Sequence, residues 1–432
     1  MLAAAGSDTR ALAREDLRVA LAVGCESLPV SDKRVLVIIP DGTRTAPIPL
    51  IFDLLYELLG PRVAALDYLI ALGTHPPMAP DAIDRLVGVP ALERVVRYPR
   101  SRIFNHQWDH PDALTTIGVI SRGETAQLTD GLLSNDVLVT LNRLILEYDH
   151  ILICGPVFPH EVAGFSGGAK YLFPGIAGPD IINFTHWLGA LATSMDTIGV
   201  QDTAVRRVIH FAARLVPRPI TCLALVMREH ELHGVYFGDY LEAFAAAADL
   251  SAQLNIIWVA HPFTRVLSMP ATRYDDLWTA AKAMYKTEPV IADGGEVIIY
   301  APQIGEVSYT HGKLIDQVGY HVRDYFLAQW ERFKDVPGSI LAHSTHVKGA
   351  GGYDAVRAVE SPRIAVTLAT AISEQRCSRI NLGYLDYREL EPNAWANRED
   401  EGILLVPQAG ETLYRLSNSS EGDSGASNRQ QA

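Results

Sequence analysis

His150-Ile-Leu-Ile-Cys-Gly-Pro-Val-Phe-Pro-His-Glu-Val-Ala-Gly-Phe-Ser-Gly-Gly-Ala-Lys170 is the stretch on which the rest of the chain turns. After His150 its opening residues, Ile-Leu-Ile-Cys154, are apolar and β-branched-rich, a buried strand. A loop comes next, carrying His160, Gly164, Ser166, Gly167, Gly168 and Lys170, then a Pro174-Gly175 turn and a second histidine, His186. Consecutive glycines let backbone amides approach an anion, and a lysine beside them adds a point charge. The run lacks the Gly-Lys-Ser/Thr of a Walker loop and the spacing of a dinucleotide fingerprint.

Two other strand ends carry polar residues. Arg34-Val-Leu-Val-Ile-Ile-Pro40 is a short buried strand that ends on Asp41-Gly-Thr-Arg-Thr-Ala-Pro47, before a helix over 48–59. Ala64 to Leu72 is a second strand, running into Gly73-Thr-His-Pro-Pro-Met78. Strands alternating with helices predict an α/β fold: a larger N-terminal domain with a mostly parallel sheet flanked by helices, and a smaller α/β C-terminal domain. Ligands of such sheets bind beyond the carboxyl ends of the strands, and the active site is expected in the cleft between the domains. Taken alone, Asp41-Gly-Thr-Arg44 is a tight turn, and a histidine before Pro-Pro is a turn residue.

At 432 residues two domains are the expectation, 1–265 and 266–416, with a polar, disordered tail over 417–432. Residues 135–142 read as another strand of the first sheet, 202–215 as a helix with Arg206, Arg207 and His210 on a solvated face, 275–284 as one helix, and 341–348 as a strand. A formal net charge of −13 disfavours nucleic acid and anionic membrane as partners. The four cysteines are far apart, without a Cys-x-x-Cys pair, which fits a reducing compartment. With no export signal and no bilayer-length apolar run, the expected location is the cytoplasm.

His160, the Gly-Phe-Ser-Gly-Gly-Ala-Lys170 loop and His186, with Asp41-x-Thr-Arg44 and Gly73-Thr-His75 upstream, resemble the signature of the nickel-dependent lactate racemase family. The spacings agree: 170 − 160 = 10 residues, then 186 − 170 = 16. The resemblance covers roughly 34–190 well and 275–300 loosely; this chain has Thr45 where the family has proline. It implies a nickel-pincer nucleotide (pyridinium-3,5-bisthiocarboxylic acid mononucleotide nickel) attached covalently at Lys170, with His186 as the protein's metal ligand. His75 and His160 are then the acid/base pair, Arg44 faces the substrate carboxylate, and Asp41 contacts the cofactor. Lys282 matches a family lysine that reaches the substrate, with Trp278 and Thr279 beside it where the family carries an aromatic and a glutamine. Thr43 and the Ser166, Gly167 and Gly168 amides are candidates for the nucleotide phosphate on glycine geometry alone. Implied partners are a small α-hydroxy acid and cofactor-biosynthesis proteins; a homo-oligomer is left open.

The chemistry fits that reading. Removing the α-proton of a hydroxy acid leaves a dianion, and no carboxylate cluster for divalent metals is evident to hold it. Taking hydrogen as hydride instead needs an acceptor, a base on each side and a cationic clamp. Two histidines titrating near neutrality and an arginine that grips carboxylates bidentately supply all but the acceptor. Polar residues in the second half (Tyr309, His311, His343, Thr345) favour a polyhydroxylated acid such as gluconate, hence a 2-epimerase, over lactate or another short 2-hydroxy acid. The alternatives are a nicotinamide-dependent dehydrogenase, which lacks its fingerprint here, and a non-catalytic phosphate- or sugar-acid-binding protein.

Overall fold

The computed structural model describes residues 1–417, so the expected tail, apart from its first residue, lies outside the described residues. Strand Arg34–Pro40 sits inside a seven-stranded sheet. On one side it pairs in parallel with Ala65–Ala71, which pairs with Ile103–Asn105. On the other it pairs in parallel with His150–Pro156, itself parallel to Ile220–Arg228. Glu231–Asp239 and Ala3–Gly6 then add antiparallel strands at that edge. The chain thus builds outward in one direction from Arg34–Pro40 and then returns to build in the other. The gap between Arg34–Pro40 and His150–Pro156 is the topological switch point, where an open α/β sheet leaves a crevice at the carboxyl ends of its strands.

The uninterrupted apolar run that follows Arg34 in this strand is explained by burial on both faces. Leu36 and Ile38 pack into one hydrophobic cluster, while Val35, Val37 and Ile39 pack into a second on the opposite face. Helix Ile48–Leu59 covers the second cluster with Ile51, Phe52 and Leu55. Helix Pro179–Ala192 covers the first with Ile181, Ile182 and Leu188.

A second sheet of five parallel strands runs in the order Gly383–Tyr384, Ala365–Thr370, Ile291–Ala301, Phe263–Pro270, Ile403–Ala409. The expected boundary after residue 265 falls inside one of them, Phe263–Pro270. Leu413–Leu416 then returns to lie parallel to Ile256–Val259. No helix among the described residues is long and apolar enough to cross a membrane.

Four expectations are corrected. Val137–Asn142 pairs with Leu114–Ile120 in its own two-stranded ladder, not in the main sheet. Residues 275–284 form two short helices, Leu277–Ala280 and Lys282–Tyr285. Residues 341–348 belong to helix Gly338–Lys348, buried on nearly every side, so no amphipathic period marks it. Arg206 is buried at 1% exposure, because its guanidinium donates to the carbonyls of Phe165 and Gly167.

Candidate active site

Three loops leave the carboxyl ends of adjacent parallel strands, and each delivers a polar side chain to one cleft. The loop after Arg34–Pro40 brings Asp41, Thr43 and Arg44; the loop after Ala65–Ala71 brings His75; the loop after His150–Pro156 brings His160 and Lys170. Helix Pro179–Ala192 adds His186 to the same wall. Trp278, Lys282, Tyr285, His343 and His346 come from the second half of the chain and face them.

His75 and Asp41 form a dyad. The His75 ring donates from Nδ1 to Asp41 Oδ2 at 2.6 Å, while Asp41 Oδ1 accepts from the Thr43 hydroxyl at 2.6 Å and the Thr43 N–H at 3.1 Å. Burial works against the Asp41 charge, but His75, Thr43 and Arg44 outweigh it and hold the carboxyl well below the usual range. A carboxylate on Nδ1 fixes the tautomer and leaves the His75 Nε2 lone pair as a base.

His160 is arranged the other way. It sits in a minute hairpin, Pro159 opposite Phe165 and His160 opposite Gly164. The Val162 N–H donates to His160 Nδ1 at 3.2 Å, so in the neutral ring the proton lies on Nε2. Burial, with Lys170 and Arg44 nearby, keeps this imidazole neutral well below its ordinary pKa. One histidine therefore presents a free Nε2 lone pair as a base, and the other an Nε2–H that donates a hydrogen bond. The hairpin needs glycine at 164: φ is 80°, and a Cβ there would collide with the Val200 carbonyl oxygen.

Lys170 lines the same cleft. Burial first, then Arg44, brings its ammonium down to a pKa of about 7, so a large share is free amine at neutral pH. His186 donates from Nδ1 to the Ile182 carbonyl at 2.7 Å, and burial lowers its pKa to about 4. The result is a neutral imidazole with Nε2 free, the state in which histidine ligates metals. Among the described residues no three His, Cys, Asp or Glu side chains gather to hold a metal ion by themselves. A metal bound to His186 would take its remaining donors from another molecule.

Arg44 and Lys282 bring positive charge to the acid/base groups. Burial opposes the Arg44 charge, yet Asp41 and neighbouring tyrosines keep its pKa raised. Lys282 donates to the Thr279 carbonyl at 3.0 Å, lies over the Tyr274 ring, and is lowered to about 8 by burial and Arg44.

Several expected contacts are spent elsewhere. The Thr43 hydroxyl serves Asp41. Ser166 donates its N–H to the Phe158 carbonyl at 2.7 Å, and its hydroxyl accepts from the Phe158 N–H at 2.9 Å, so it ties the loop together. Gly168 is off the cleft; a Cβ there would meet Phe244 at 2.9 Å, so helix packing accounts for that glycine. Gly167 lines the cleft. Thr279 donates its hydroxyl to Asp276, the cap of its own helix, at 2.8 Å. Trp278 does face the cleft, stacked on His343 with ring centroids 4.1 Å apart. Asp41 contacts His75, where the resemblance implied the cofactor.

Sequence reasoning missed Glu161, Lys286 and His346. Glu161 is a cleft carboxylate next to His160. Lys286 is buried and donates to the carbonyls of Pro159 (2.7 Å) and Glu411 (2.9 Å). His346 lies one helical turn beyond His343. No local pattern marks them; helix Gly338–Lys348 presents its histidines only because it packs against Pro179–Ala192.

Residues 14–199 match the family model described as the lactate racemase N-terminal domain. Two curated proteins called lactate racemase are similar to this chain. The one from Thermoanaerobacterium thermosaccharolyticum is 22% identical over 280 residues, covering 64% of this chain and 61% of that protein. The one from Lactiplantibacillus plantarum is 23% identical over 281 residues, covering 64% and 62%. The chain thus spans about three fifths of the length of these relatives. A protein of known crystal structure from Thermotoga maritima superposes with a TM-score of 0.87 at 31% identity, over 96% of this chain and 100% of that one. The lactate racemase apoprotein from T. thermosaccharolyticum superposes at 0.69 with 18% identity, over 94% and 93%, a likeness of fold.

Proposed function

We propose that this chain, which belongs to the lactate racemase family, inverts C2 of a small α-hydroxy acid. The observation that carries the reading is the convergence of two oppositely set histidines, His75 and His160, with Arg44 and Lys282 in one cleft at the switch point of the sheet. Arg44 holds the substrate carboxylate and Lys282 adds a second charge. His75, oriented by Asp41, takes the hydroxyl proton at Nε2 as the C2 hydrogen leaves and returns it to the same oxygen when that hydrogen comes back on either face, while His160 steadies that oxygen with a hydrogen bond from its Nε2–H.

Lys170 and His186 fit the nickel-pincer nucleotide of the family. A buried amine lowered to about 7 is reactive at neutral pH, and a neutral imidazole with Nδ1 already bonded presents Nε2 to nickel. When bound, the nucleotide supplies the hydride acceptor that no side chain provides. Thr43 and Ser166, with their hydroxyls engaged, are poor phosphate ligands; Gly167 remains a candidate.

Lactate is supported as substrate by the names of the curated relatives. A longer polyhydroxylated acid such as gluconate is supported by the polar wall that His343 and His346 add. Protein purified from a host able to make the nucleotide should carry a mass increment on Lys170 and about one nickel per chain. It should also return deuterium from C2 to C2. Wash-out of the label into water would point to proton abstraction and overturn the reading.

A further inference from the structure

Two polar groups in the cleft have no role in the inversion itself. Glu161, in the turn after His160, lies with Oε2 3.3 Å from His160 Nδ1, but that nitrogen already accepts from Val162 N–H. Tyr285 is its other near neighbour, and a carboxylate has room for about four donors. Burial opposes its charge, yet Lys282 above all holds its pKa below the usual value. Across the cleft, His346 is 3% exposed, and its Nε2 is buried with no hydrogen-bond partner among the described residues. A buried polar atom left unpaired costs stability, so one that lines a cleft calls for a partner.

We propose that Glu161 and His346 form a hydroxyl-binding subsite beside the reacting carbon, which makes the substrate an α-hydroxy acid with at least one further hydroxyl. A hydroxyl both donates and accepts, so one group can give its proton to Glu161 and take one from His346. A methyl in that place leaves His346 Nε2 unpaired and gives Glu161 no donor. A second carboxylate is repelled by Glu161. The two residues come from opposite sides of the cleft, so the subsite is complete only when both walls face one another. This rests on the hydroxy-acid reading above and sharpens it.

Glycerate and lactate differ by the hydroxyl in question and serve as probes. By calorimetry the full-length chain should bind glycerate on the order of 10-fold or more tighter than lactate, the net worth of one hydrogen bond to a charged group. His346→Phe and Glu161→Leu should each bring the affinity ratio close to one, while Glu161→Gln, which keeps an acceptor, retains part of it. In nickel-loaded enzyme the ratio of kcat/KM for the two acids should follow the same order. Equal affinities in the parent protein, or variants that keep the full preference, overturn the subsite. A preference in binding with neither acid inverted by the loaded enzyme leaves the subsite standing and removes the racemase reading instead.

Discussion

The substitution Asp41→Asn tests the His75 dyad with little change of shape. The introduced side chain keeps a carbonyl oxygen on the two Thr43 donors, bonded to the native carboxylate at 2.6 and 3.1 Å, so the loop is retained. Its amide nitrogen then faces His75 Nδ1, where a carboxylate oxygen stood at 2.6 Å. Two N–H donors cannot share that distance, so the imidazole moves its proton to Nε2 and accepts at Nδ1. The nitrogen that faces the substrate then carries a proton in the resting state and no longer serves as a base. One acid/base group is worth about 10²–10⁴-fold in rate, and kcat should fall by that factor with KM little changed. The lost charge-assisted bond costs about 1–2 kcal/mol, visible in denaturant unfolding but too little to unfold the protein. With lactate, whose racemisation has an equilibrium constant of one, kcat/KM must fall equally in both directions. Initial rates from each enantiomer with nickel-loaded enzyme measure all of this. A kcat within a factor of about three of the parent's, or a loss confined to KM, would refute the dyad.

His186→Ala should lose nickel by elemental analysis while the Lys170 mass increment persists; retained nickel would remove His186 as a ligand. Lys170, Lys282 and Lys286 are held at about 7, 8 and 7 by burial. Between those values and the ~10.4 of a free lysine the unfolded chain binds more protons, so stability of the cofactor-free protein should rise with pH across that window. Lys170→Met should flatten that rise and stabilise the protein near neutral pH, as read by thermal melts at several pH values; an unchanged slope would contradict the lowered pKa. Arg206→Met strips the donors from the Phe165 and Gly167 carbonyls and should cost about 2–4 kcal/mol in urea unfolding.

The parts of this molecule that are legible in sequence are those where chemistry and local pattern coincide. After Arg34, the strand Arg34–Pro40 is apolar without a break because both its faces are buried, and the residues just past its end are polar because they leave the sheet. The loops bearing His75, His160 and Lys170 show themselves the same way, at the ends of apolar runs. Helix Gly338–Lys348 passes for a strand because Leu341-Ala-His-Ser-Thr-His-Val-Lys348 carries no amphipathic stripe; its polar residues are buried in a cleft rather than turned to water. Arg206 reads as solvated because a charge on a helix normally is, and only the loop it supports, distant in sequence, draws it inward. Thr43, Ser166 and Thr279 are the right residue types in the right loops, but their hydroxyls stabilise the turns that carry them.

The strand Leu413–Leu416, laid beside Ile256–Val259 with Leu413 opposite Ile256, places the outgoing and the homecoming crossings of the chain side by side. A pair of bonded strands resists stretching, since pulling it lengthwise breaks every rung, but it twists readily. The two halves are therefore strapped together along a narrow band, so that a rotation of one against the other would load this band in torsion and a separation would have to break its rungs.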